Sequence, residues 1–170
     1  MDLKQYIIDV KDFPKKDILF KDITPLLKDA AAFKNVVEQM IDFAKKVGAN
    51  VIVSPEARGF IFGTAVSYGA NIGFVPCRKP NKLPREVYSV KFDLEYNKTI
   101  LEIHKDSLDK NSKILVVDDV LATGGTAQAI VDLAQKTGSK IVGFSFLIDL
   151  KFLKGKELIK NYDIQTLIEY

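Results

Sequence analysis

Residues 114–126, ILVVDDVLATGGT, decide the reading of this chain. Ile114, Leu115, Val116 and Val117 form a short unbroken apolar run, as expected of a parallel strand covered on both faces. Asp118 and Asp119 stand at its carboxyl end, where open α/β sheets place their ligands. Thr123, Gly124, Gly125 and Thr126 follow, and a helical pattern starts after them at Ala127, Ile130, Val131 and Ala134. Glycines let a backbone approach a ligand closely, and free N–H groups at a helix start favour an anion. Residues Ala122, Thr123, Gly124, Gly125 and Thr126 are therefore expected to cradle a phosphate. Two carboxylates would repel a bare phosphate, so the acid pair is suited to sugar hydroxyls or a hydrated metal ion beside it. A sugar phosphate satisfies both halves. A P-loop is excluded because no lysine follows the glycines. A receiver domain is excluded because too little chain follows the acids.

The flanking sequence repeats the strand and helix alternation. Asp29 is a candidate N-cap for a helix with Phe33, Val36, Val37, Met40, Ile41, Ala44 and Val47 on its apolar face, closed by Gly48. Residues 50–54 read as a strand, 60–68 as a helix, 73–77 as a second strand, 113–117 as the third, 126–137 as a helix and 140–148 as the fourth strand. Such alternation implies a mostly parallel open sheet flanked by helices, an α/β fold. Residues 78–109 are long, charged and carry Pro80 and Pro84, which argues against a buried element and for a mobile lid with some β structure at 88–92 and 99–103. The N-terminal segment to Leu27 and the tail from Lys151 lie outside the alternating core, with 163–168 as a candidate last strand.

With 170 residues, 47% of them hydrophobic, one domain with a full core is expected. No apolar stretch approaches the roughly 20 residues of a membrane span, and the first residues lack a secretory core, so the expectation is a cytoplasmic protein with no membrane partner. The single cysteine, Cys77, rules out an internal disulfide and reads as the end of a buried strand. A net charge of +3, spread along the chain without a basic run, suits a small anionic substrate and gives no sign of nucleic-acid binding. The lone histidine, His104, reads as structural or surface.

The string VVDDVLATGGT is similar to the phosphoribosyl pyrophosphate (PRPP) motif of the type I phosphoribosyltransferases. Residues 20–27 (FKDITPLL), 56–63 (EARGFIFG), 78–84 (RKPNKLP) and 94–106 (LEYNKTILEIHKD) resemble, in order, the adenine branch of that family. The resemblance implies a type I phosphoribosyltransferase fold with a small hood over residues 1–28 and a lid loop over 78–109. It implies transfer of a phosphoribosyl group from PRPP to adenine, giving AMP and pyrophosphate, in a homodimer using Mg2+ carried by PRPP and water, with no protein ligand assigned.

The same resemblance assigns roles by residue. Asp118 and Asp119 would hold the ribose hydroxyls and stabilise positive charge on the sugar. Arg58, one of three arginines, would bind pyrophosphate with its planar fork, aided by Arg78, Lys79 and Lys82 from this subunit or a neighbour. Leu19, Phe20 and Lys21 would meet adenine through backbone groups and an apolar side chain; many relatives have arginine at the Lys21 position. Glu95 would exchange a proton with the purine ring, and Tyr96 would help exclude water. A phosphoribosyltransferase for another purine, and a PRPP-binding regulator, are the alternatives. The second would be expected to carry a DNA-binding domain or a concentrated basic face, and the chain offers neither.

Overall fold

The computed structural model describes residues 1–93 and 98–170. Five parallel strands form the central sheet: β3 (Val51–Pro55), β4 (Gly73–Cys77), β7 (Lys113–Leu121), β8 (Lys140–Asp149) and β9 (Ile164–Glu169), in the order β4-β3-β7-β8-β9. The chain runs from β3 outward to β4 and later returns to the other side of β3 as β7. The β3/β7 boundary is therefore the point at which the winding direction changes, and the carboxyl ends there are where this class of sheet binds ligands.

Side-chain alternation divides the core into two layers. Ile52, Leu115 and Val117 face helices α2 (Ala30–Lys46) and α3 (Arg58–Ala70), where Val36, Met40, Phe62 and Val66 are fully buried. Val51, Val53, Ile114 and Val116 face the opposite layer, filled by Ile130, Leu133 and Ala134 of α4 (Gly125–Thr137). This period of two explains why the strand runs read as continuously apolar: both sides are covered. Helix α2 begins where the sequence places it, with the Asp29 carboxylate accepting from Ala32 N at 2.8 Å.

Three sequence expectations are corrected. Strand β7 does not end before the acids but runs through Asp118 and Asp119 to Leu121, because the long β8 keeps pairing with it as far as Leu121 and Asp149. Its pairing with β3 ends at Val53 and Val116, so the acids project past the shorter strand. The tail does not lie wholly outside the core: the candidate last strand at 163–168 is present as β9, which completes the sheet beside β8. Within 78–109, strands β5 (Val87–Asp93) and β6 (Lys98–His104) form an antiparallel hairpin whose Val90, Leu101 and Ile103, with Leu108 beyond it, are buried on the α4 layer. The prolines mark the approach to this hairpin and do not prevent burial.

At the N-terminus, β1 (Ile8–Lys11) and β2 (Leu19–Asp22) pair antiparallel, followed by the short α1 (Thr24–Lys28). No helix among the described residues is long and apolar enough to cross a membrane.

Candidate functional site

The residues that the sequence assigns to the 5′-phosphate and the ribose lie at the carboxyl end of β7, with Arg58 reaching in from beyond β3. A pocket is lined by Asp118 and by Ala122, Thr123, Gly124, Gly125 and Thr126, together with the apolar Val116, Ile130 and Phe146. Gly124 takes a left-handed φ of 86° immediately before α4, a turn that suits glycine, and no side chain caps the helix start.

The acid pair is differentiated. Asp118 is half-buried and accepts from the Asp119 backbone N–H at 2.8 Å. Asp119 is only 5% exposed, and its Oδ2 lies 2.7 Å from Arg58 Nε. Burial and the neighbouring Asp119 charge push the Asp118 carboxyl well above the usual carboxylate range. Burial also raises Asp119, while Arg58 pulls the other way. Two acids held so close in a partly dry strand end are poised to accept hydroxyl donors or positive charge.

Arg58 reaches Asp119 because α3 starts almost against β7. A Cβ on Gly59 would stand 2.8 Å from Asp118 Oδ1 and 3.3 Å from the Val117 carbonyl, so only glycine permits that approach. The Arg58 guanidinium also lies 4.8 Å from the centre of the Phe20 ring, which in turn meets Phe13 edge-on at 5.0 Å. Arg58 thus joins the N-terminal segment to the acid pair, with the Phe20 ring beside its guanidinium. Leu19 is exposed on the same strand.

Lys21 is placed differently from what its charge suggests. Its side chain is buried, its ammonium 2.6 Å from Asp9 Oδ1 and 3.6 Å from the centre of the Tyr170 ring. The charge is engaged inside the hood, which leaves only its backbone groups for a base.

Glu56 opens the 56–63 segment that carries the family resemblance, where the pyrophosphate loop is expected, but its contacts were not foreseen. Its Oε1 accepts from Arg78 Nε at 3.1 Å and from the Lys79 backbone N–H at 2.8 Å. Arg78 also donates to the Lys82 carbonyl at 3.3 Å. Glu56 therefore holds the Arg78 guanidinium and the Lys79 backbone at the end of β4. Cys77, fully buried, ends β4 as expected, and burial, with the Asp118 and Glu56 charges, pushes its thiol up and keeps it protonated. His104 contacts Arg85, with Nε2 3.4 Å from the Arg85 N–H and Nδ1 3.3 Å from a guanidinium nitrogen. This is a structural role.

Glu95 and Tyr96 lie outside the described residues. Among those described, no three His, Cys, Asp or Glu side chains converge as a metal cage. The hard oxygens of Asp118 and Asp119 nonetheless suit a hydrated Mg2+ that brings its other oxygens with the substrate.

Comparison with known proteins agrees with this geometry. The phosphoribosyl transferase domain model matches residues 25–168. An adenine phosphoribosyltransferase of Mycoplasma capricolum subsp. capricolum is 54% identical over 170 residues, covering all of both chains. The crystal structure of the Thermoanaerobacter pseudethanolicus adenine phosphoribosyltransferase superposes with a TM-score of 0.95 at 44% identity, over 99% of this chain and 98% of that one. The Saccharomyces cerevisiae enzyme, solved with adenine and an iminoaltritol bisphosphate, gives 0.92 at 31% identity over 98% and 96%. With the glycine loop and the acid pair at the carboxyl end of the central strand, the chain belongs to the phosphoribosyl transferase domain family, in its adenine phosphoribosyltransferase branch.

Proposed function

We infer that this chain is a purine salvage enzyme that transfers the 5-phosphoribosyl group of PRPP to adenine, releasing pyrophosphate and forming AMP. One observation carries the reading: the phosphate loop 122–126 and the Asp118 carboxylate line a single pocket, next to an arginine that reaches both Asp119 and the Phe20 ring. The base assignment is supported by the adenine branch to which the chain belongs and by a relative solved with adenine.

In this reading the loop N–H groups and the Thr123 and Thr126 hydroxyls hold the 5′-phosphate. Asp118 and Asp119 accept from the ribose hydroxyls. As the bond from the anomeric carbon to pyrophosphate lengthens, its electron pair leaves with pyrophosphate and positive charge grows on the sugar, which the fixed carboxylates stabilise. Arg58, Arg78, Lys79 and Lys82 receive the leaving pyrophosphate, with Glu56 fixing the Arg78 guanidinium and the Lys79 backbone. Mg2+ would enter with PRPP, held by its oxygens and water within reach of Asp118 and Asp119, and would supply charge compensation for the departing pyrophosphate. Adenine stands between Phe20 and the backbone of Leu19 and Lys21, a ring nitrogen attacks the anomeric carbon, and Glu95 takes the proton the ring releases.

The enzyme works as a homodimer in the cytoplasm in this account. Ile61 and Tyr68, seven residues apart on one face of α3 and exposed, supply apolar surface for a second copy. PRPP, adenine and Mg2+ incubated with the protein should give AMP and pyrophosphate in equal amounts, and excess chelator should abolish the reaction. AMP formation undiminished in chelator would exclude the metal, and no AMP at all would exclude the function.

A further inference from the structure

A turn at the end of the chain closes on the back of the phosphate loop. This short 3-10 segment, Gly155–Ile159, follows β8. A Cβ on Gly155 would overlap the Ala122 carbonyl and lie 3.0 Å from Gly124 N, and a Cβ on Gly124 would lie 2.6 Å from the Gly155 carbonyl. The two backbones therefore touch, with no side chain between them.

The next residue fastens that turn to the sheet. Lys156 Nζ lies 2.8 Å from Asp149 Oδ2, 3.1 Å from Glu169 Oε1 and 3.2 Å from Thr166 Oγ1. Asp149 is 1% exposed, ends β8, and is in register with Leu121, the residue immediately before the loop. The Leu150 N–H donates to the Leu121 carbonyl at 3.0 Å, closing the same corner. Lys151 adds a second cation on Glu169 from the outside. Partial burial opposes charge on Lys156, but its hydrogen bonds to Asp149 and Glu169 outweigh it and keep the ammonium protonated.

We propose that Lys156 is a positioning residue for the 5′-phosphate site: its ammonium, drawn to the ends of β8 and β9, presses Gly155 against residues 122–124 and sets the spacing at which the loop meets phosphate. The inference rests on the PRPP reading of that loop. Lys156 is one residue from the contact and faces away from the pocket, so its effect passes through the backbone.

The test compares Lys156→Met, Lys156→Arg and the double variant Asp149→Asn with Lys156→Met. Steady-state constants, melting temperature and calorimetric binding of ribose 5-phosphate are measured for each. The double variant removes the buried charge that Lys156→Met alone would strand, so a fold is retained for measurement. Lys156→Met and the double variant should raise KM for PRPP and weaken ribose 5-phosphate binding by about tenfold, since a small misplacement of binding groups costs that much or more. KM for adenine should stay near wild type, the double variant should regain the melting temperature, and Lys156→Arg should restore affinity. Unchanged ribose 5-phosphate affinity in the double variant would overturn the positioning role while leaving the enzyme reading intact. Failure of the wild-type protein to bind ribose 5-phosphate or PRPP would instead overturn the phosphate-loop reading itself.

Discussion

Asp118 illustrates how function sets residue energetics. Its carboxyl and that of Asp119 are pushed above their ordinary values, so the folded chain holds protons that the unfolded chain would release. For groups raised in this way, the stability contribution is fully present below the unfolded carboxyl pKa of about 4 and is lost as pH rises through the folded value. Asp118→Asn, which keeps the acceptor for the Asp119 N–H, should therefore melt higher than wild type at neutral pH without PRPP, with the difference vanishing in acid. The same variant should lower kcat by about 100-fold, the scale lost when one preorganised electrostatic group is removed. Parallel melting curves and turnover measurements check both; a lower melting point with full activity would return the pair to a solvated turn. Glu95→Gln should reduce turnover with adenine more than it weakens PRPP binding, because glutamine keeps shape and loses the proton function. Equal losses in turnover and in directly measured PRPP affinity would make Glu95 a positioning group.

At the scale of elements, the strand, acids, loop and helix of 114–126 were legible because local chemistry dictates each part: apolar residues for a doubly covered strand, glycines for a turn at a helix start. The full length of β7 was not legible, since its last four residues are strand only by virtue of β8 alongside. The two strands of the hairpin β5–β6 were legible at 88–92 and 99–103, but their burial was not. Charge and proline suggested solvent, while Leu101 and Ile103, two residues apart, carried the period of a half-buried strand. Ile103→Ala should accordingly destabilise the protein by about 2–5 kcal/mol, as for other buried large-to-small changes. Denaturant unfolding reads this directly, and a loss below about 0.5 kcal/mol, the range of surface substitutions, would mean the strand does not belong to the core. Glu56 and Lys156 were unreadable in their roles because each acts across the fold, on Arg78 and on Asp149 and Glu169, with no motif linking the partners in sequence.

Across the whole molecule, four segments distant in sequence meet in the proposed site: the N-terminal hairpin brings Phe20, the β3 end brings Glu56 and Arg58, the β4 end brings Arg78, and the β7 end brings the acids and the loop. The sequence disclosed these pieces, and the switch in winding direction between β3 and β7 is what unites them. If two copies pair as proposed, sedimentation at assay concentration should give twice the 19.0 kDa chain mass, and a fully active monomer would contradict the pairing. The central claim is the choice of base at this site. Measuring kcat/KM for adenine, hypoxanthine and guanine, each with PRPP and Mg2+, tests it most directly. Adenine should be preferred by at least about 100-fold, because a pocket that hydrogen-bonds one purine edge leaves polar groups unpaired against another. Equal or better conversion of hypoxanthine or guanine would contradict it.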